Sequence, residues 1–338
     1  ELRRTLAASP KSSFDGELQF NLALALQRQG GTDRLREAAG MFAALREQLG
    51  PAGLGRSALF QAARVQVQLE QFEPAAAAYR QLIEECGEAP EADIARLELG
   101  LVLRDRGDAE AALAQLAAVR SGSPLFARSR LEAGQLLSAR GERERAIAVF
   151  EEGLGGTPQD EERALLSFLA GAAQAQLGQQ EEALRFFELA AAGAGPQLAE
   201  RVAYARGAAV FKLGRPAEAV ALLDRSWADP EVAAGARRLL AAAYAALGNA
   251  AAAMDVYAAL AQGAQTPLER AEFTLALAEI AYRQQDYARA IAAADKLQQL
   301  DFEEPQLGAD RPYFLRVKGW FLAADAHTRL GEFAPART

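Results

Sequence analysis

Histidine and cysteine each occur once, as His327 and Cys86, and lysine only four times, at Lys11, Lys212, Lys296 and Lys318. One histidine and one cysteine so far apart in the chain can build neither a His-based catalytic triad nor a zinc site. A lone cysteine forms no internal disulfide and leaves the redox compartment open, so Cys86 reads as a small buried or half-buried helix residue. Concentrated positive charge is also lacking. Net charge is −8, and pairs such as Arg3-Arg4 and Arg237-Arg238 are the largest basic clusters. Nucleic acid is therefore not expected as a partner, because phosphate binding needs a basic face.

Long apolar runs are missing too. The most apolar stretch, Leu239 to Ala261, is broken by Gly248-Asn249 and carries Asp255, so it reads as two short helices and not as a membrane span. The glycine cluster Gly153-Leu154-Gly155-Gly156 has no strand leading into it and is followed by Thr157-Pro158 and not by Gly-Lys-Ser or Gly-Lys-Thr, which argues against a phosphate-cradling loop and for an inter-repeat turn. Carboxylate pairs such as Glu84-Glu85, Glu151-Glu152 and Glu161-Glu162 point about 100° apart on a helix, so they read as solvated faces. No catalytic residue, metal ligand or cofactor is expected.

What is present is a composition that folds: 51% hydrophobic and 24% charged residues, with much of the apolar share in alanine. Alanine buries little surface, so the core must come from close backbone approach in thin, stacked layers.

A period of 34 to 37 residues runs through most of the chain. Prolines recur at Pro90, Pro124, Pro158, Pro196, Pro230, Pro267 and Pro312, where a residue without an N–H fits the first turn of a helix. Seventeen to twenty residues later stand Gly107, Gly141, Gly178, Gly214, Gly248 and Gly331, able to end a helix in the left-handed conformation. Each unit is thus read as helix A, a tight turn and helix B.

Two small residues, one on each helix, keep a separation of twelve: Ala63 and Ala75, Gly100 and Ala112, Gly134 and Ala146, Gly171 and Ala183, Gly207 and Ala219, Ala241 and Ala253, Ala278 and Ala290, Ala324 and Ala336. Four residues past the second comes a large one (Phe42, Tyr79, Leu116, Phe150, Phe187, Leu223, Tyr257), expected to pack into the neighbouring unit. The turn glycine is absent at Glu70-Gln71-Phe72 and at Gln284-Gln285-Asp286.

This pattern resembles the tetratricopeptide repeat family over about 320 of the 338 residues. The resemblance implies an all-α, right-handed solenoid of stacked antiparallel hairpins. The expected organisation is a leading segment over residues 1–14, eight repeats over 15–300, a longer connection over 301–311 and a truncated ninth repeat over 312–338. The chain reads as a piece of a longer protein.

In this family helix A lines the concave face, and the register then supplies candidate partner-binding residues. Position five of helix A gives Phe20, Phe60, Leu131, Phe168, Tyr204, Arg238 and Phe321, and nearby positions add Arg64, Gln135, Phe211, Lys212, Tyr282 and Arg283. An aromatic stripe with interspersed cations suits a peptide, the rings supplying contact area and the arginines meeting carboxylates. The resemblance implies a noncatalytic scaffold holding a protein or peptide, with no membrane span and no nucleic acid, in a bacterial assembly for which the periplasm or cell envelope is favoured over the cytoplasm. The alternative is a regulatory sensor whose repeats respond to a peptide or small effector and drive a fused output domain.

Overall fold

The computed structural model describes residues 15–300 and 310–332. The expected leading segment 1–14, most of the connection 301–311 and the end of the ninth repeat, including Ala336, lie outside the described residues. Among the described residues there are seventeen helices and no strand. In chain order they are α1 (Asp15–Gln29), α2 (Thr32–Leu49), α3 (Gly53–Gln68), α4 (Phe72–Cys86), α5 (Pro90–Asp105), α6 (Ala109–Ala117), α7 (Phe126–Ala139), α8 (Arg143–Gly155) and α9 (Asp160–Gln176). They continue with α10 (Gln180–Ala191), α11 (Pro196–Lys212), α12 (Pro216–Leu223), α13 (Pro230–Ala246), α14 (Ala250–Gly263), α15 (Pro267–Arg283), α16 (Tyr287–Gln298) and α17 (Asp310–Arg329). The chain divides into two compact units, Glu1–Ala173 and Gln174–Thr338.

Within each unit neighbouring helices pack against each other, and A helices also touch across repeats: α1 on α3 and α5 on α7 in the first unit, α11 on α13 and α15 on α17 in the second. All six turn glycines adopt positive φ, from +73° at Gly214 to +91° at Gly107. At two of these turns the residue after the glycine caps the next helix. Asp108 accepts the amide of Ala111 at 3.3 Å and Asn249 that of Ala252 at 3.3 Å.

Where the glycine is missing, Glu70 (φ +59°) and Gln285 (φ +61°) take the same conformation. A side chain there costs energy that glycine avoids. Glu70→Gly and Gln285→Gly are expected to stabilise the fold by about 0.5–1 kcal/mol each, measured by urea denaturation, with Gln285→Ala giving no gain.

The prolines divide. Pro90, Pro196, Pro230 and Pro267 begin their helices, whereas α7 starts at Phe126, two residues after Pro124, α9 starts at Asp160, two after Pro158, and Pro312 is the third residue of α17. At Pro124 a turn intervenes, with the Phe126 amide donating to the Ser123 carbonyl at 3.0 Å. The glycine cluster departs from expectation in part: α8 continues through Gly155, and only Gly156 belongs to the link between the repeats. Gly153 is buried there because a Cβ would lie 2.9 Å from Arg130 Cβ and 3.1 Å from the Leu166 side chain.

Among the described residues the paired small residues are buried, Ala324 being half-buried, and the large residue after them packs both into the neighbouring unit, as Phe42 does with Ala58 and Leu116 with Ala133, and onto its own hairpin. Leu116, Phe150 and Leu223 lie on the glycine of their own hairpin, within 2.8 Å of where a Cβ on Gly100, Gly134 or Gly207 would stand. Phe42 and Tyr79 meet Phe20 and Phe60 edge-on, again within their own hairpins. Tyr257 alone among these ring contacts reaches the next repeat, 6.4 Å from Phe273.

The α5/α6 hairpin is closed by charge. Asp93, in the first turn of α5 and fully buried, accepts from Arg120 Nε at 2.9 Å, from a second Arg120 nitrogen at 2.7 Å and from Arg96 at 3.0 Å. Arg130, itself 4% exposed, donates to the carbonyls of Leu116, Ala117 and Val119 at 2.9–3.2 Å, satisfying the end of the short helix α6.

Candidate partner-binding faces

In the first unit the α3 face carries Arg56, Phe60 and Arg64 on successive turns. Phe60 is half-buried and sits edge-on to Tyr79, ring centres 5.8 Å apart. Tyr79 is fully buried, yet its hydroxyl has no hydrogen-bond partner. Burial, with a smaller contribution from the Glu98 carboxylate, pushes this phenol well above its usual range, and Arg64 opposes the shift. Half-buried Glu98 on α5 is likewise raised by burial and pulled back by Arg64. Arg64 is exposed, as is Gln135 on α7.

Other expected residues of this unit serve packing. Leu131 and Phe168 are 3% and 8% exposed, and Phe20 is half-buried against the core ring of Phe42, centres 5.4 Å apart. Leu131 and Phe168 thus drop from the accessible face, because neighbouring repeats cover position five where they pack on it.

In the second unit Tyr204 is half-buried beneath Gly235, where a Cβ would lie 3.0 Å from its hydroxyl oxygen. Phe211 is half-buried and Lys212 exposed at the end of α11. Arg238 is engaged within the fold: it pairs with Glu269 of α15 and stands 5.1 Å over the Phe273 ring. Glu269 also accepts the Gln265 amide at 3.2 Å and its own amide donates to Thr266 Oγ1 at 3.1 Å, so the two side chains cap the start of α15 reciprocally. Burial alone would raise the Glu269 pKa, but Arg238 and the Gln265 and Thr266 amides hold it below the usual carboxylate value.

Tyr282 packs edge-on to Tyr287 at 5.6 Å, and its hydroxyl accepts from Arg329 Nε at 3.1 Å. Arg283 is exposed with Glu279 3.8 Å away, and Glu279 also pairs with Lys318. On α17, Phe321 is 74% exposed, joined by Phe314 at 58% and Trp320 at 57%, neither of which the register singled out.

For chemistry the faces offer little. Among the described residues no group of three His, Cys, Asp or Glu side chains could hold a metal ion. His327 Nδ1 lies 2.8 Å from Glu332 Oε2, a local contact one turn along the chain. Burial pushes the Cys86 thiol up, with Arg56 lowering it and Glu91 and Glu85 adding to the rise, so the nucleophilic thiolate is disfavoured. No described helix is long and apolar enough to cross a membrane.

A family described as a tetratricopeptide repeat-like domain matches residues 20–175. Searched against curated proteins, the sequence finds no match. Among solved structures, the C-terminal part of a tetratricopeptide repeat-containing protein from Cytophaga hutchinsonii is 15% identical, over 83% of this chain and 95% of that one, with a TM-score of 0.50. A tetratricopeptide repeat protein from Parabacteroides merdae is 15% identical over 79% of this chain and 99% of that one, TM-score 0.46. YrrB, described as a tetratricopeptide repeat protein with an unusual peptide-binding site, is 20% identical over 59% and 96%, TM-score 0.40.

Proposed function

From the premise that the chain is a member of the tetratricopeptide repeat-like family, matched over residues 20–175, we propose that it is a noncatalytic scaffold holding a protein or peptide partner on the helix A face of its repeats. The observation that carries this reading is the α3 face, where exposed Arg64 stands one turn from half-buried Phe60 and beside a desolvated carboxylate, Glu98. Aromatic and arginine side chains placed together are the groups that dominate protein interfaces. In the second unit half-buried Phe211 and exposed Lys212 stand at the end of α11, on adjacent faces of the helix. The setting we infer is a larger bacterial assembly, in keeping with an arginine-rich, lysine-poor composition.

The test uses substitutions that leave packing alone. Arg64→Glu and Lys212→Glu, separately and together, are expected to reduce recovery of a co-purifying partner at least about tenfold, the scale of an interface anchor, with helical circular dichroism unchanged. Undiminished recovery by the double variant refutes this face as the binding surface.

A further inference from the structure

A cavity of about 190 Å³ opens between α3 and α5, above the end of α4. Its walls are Phe60, Leu82, Ile94 and Cys86. Three of these groups are fixed by packing: Phe60 leans on the Tyr79 ring, Leu82 is 3% exposed within the core, and Cys86 closes α4. Ile94 is the exception, a large aliphatic side chain left 39% exposed at the opening. A cavity of about 150 Å³ lined by Leu, Ile and Phe is enough to hold a benzene ring.

The two charges lining the opening are of opposite sign. Arg56 on α3 and Glu91 on α5 both line the cavity and act on Cys86 with opposite sign. The rim therefore asks no net charge of an occupant, while the apolar walls penalise an unpaired charge placed among them. On the α3 wall Gln61 offers an amide to a main chain crossing the opening, and the Ser57 hydroxyl, which donates to the Gly53 carbonyl at 3.3 Å, keeps its lone pairs to accept. An extended segment has free backbone groups to meet them, whereas a helix has already satisfied its own.

We propose that this cavity takes one neutral apolar side chain, of leucine to phenylalanine size, presented by an extended segment of the partner protein. The assignment rests on the partner-binding reading above and narrows it: beside Arg64, the first unit offers its partner a pocket for an apolar anchor.

The experiment uses the full chain with ¹³C-labelled isoleucine methyls, titrated with N-acetyl-leucinamide, N-acetyl-phenylalaninamide, N-acetyl-alaninamide and the aspartate analogue. Saturable shifts at the Ile94 methyl are expected for the leucine and phenylalanine probes. The alanine probe should bind roughly tenfold or more weakly, having lost most of its buried carbon. Affinity should change less than about twofold between 50 and 500 mM NaCl, because no net charge is engaged. Cys86→Met, which fills the cavity, should abolish the shift. If that variant misfolds, the side-chain and salt series on the wild-type chain still decide.

Equal binding of the alanine probe, preference for the aspartate probe with steep salt dependence, or no saturable shift at Ile94 overturns the proposal. If partner recovery nevertheless falls in the Arg64→Glu variant, the scaffold reading stands and only the apolar anchor is lost.

Discussion

Gly134→Val is expected to destabilise the first unit by about 3 kcal/mol, the upper part of the range for forcing extra carbon into a packed core. A Cβ at this position would lie 2.3 Å from Phe150 Cε1, 2.6 Å from Cδ1 and 2.7 Å from Cζ. The ring cannot yield easily, since Phe150 is fully buried. Relief would have to come from separating α7 and α8, which share an extensive contact. Helix propensity works the other way, favouring valine over glycine by a few tenths of a kcal/mol, too little to offset the clash. Urea denaturation of the single variants and the pair gives the check. In a Phe150→Ala background the space above Gly134 is empty, so adding Gly134→Val should cost under about 0.5 kcal/mol and leave a coupling above 2 kcal/mol. Equal costs in both backgrounds would show that the ring and the glycine do not oppose one another.

Asp93→Ala should cost about 2–3 kcal/mol. Removing one member of a buried ion pair commonly costs more, 3–5 kcal/mol, but Arg120 keeps 43% of its side chain in solvent and recovers part of its hydration. The carboxylate joins the start of α5 to Arg120, just beyond α6, and Arg120 also donates to the Glu88 carbonyl at 2.6 Å. Burial on its own would raise the Asp93 pKa, yet hydrogen bonds and charge from Arg120, joined by Arg96, outweigh it and hold the carboxyl below its ordinary value. A folded-state pKa below the unfolded one stabilises the protein above the unfolded value, near 4, and that contribution is withdrawn as pH falls below it. Wild type should therefore lose more stability between pH 5 and pH 3 than Asp93→Asn, the comparison made by urea midpoints. Parallel pH profiles would mean that Asp93 does not carry the acid sensitivity.

The two clamps on α6 were not readable from the sequence. Asp93 looks like any acidic residue in a first helical turn, and Arg130 like one of many scattered arginines. Arg120 lies 27 residues from Asp93 and the carbonyls that Arg130 meets lie 11 to 14 residues from it, and the short helix α6 stands between them in the chain. The candidate faces were legible in the same partial way. Register placed Phe60 and Arg64 on a common face of α3, because a spacing of four is fixed by the helix. It put Leu131 and Phe168 there too, but whether a position-five side chain meets partner or core depends on how closely the next repeat packs. The wall residue Ile94 and the aromatic pair Phe314 and Trp320 carry no periodic signal at all.

The hairpin repeat itself was determined by the sequence, since turn glycines, small residues spaced by twelve and helix-start prolines act through local backbone geometry and contacts within one hairpin. That logic extends even to Glu70 and Gln285, which take the left-handed conformation without being glycine because the repeat on either side requires it. Tertiary structure alone decided where the large residue of helix B rests, which arginines are spent on carbonyls and carboxylates, and that α3 and α5 part widely enough beside Phe60 to leave an apolar cavity. Those outcomes depend on distances between elements far apart in the chain, and distances of that kind are set by the sum of packing contacts and not by the periodicity of any one helix.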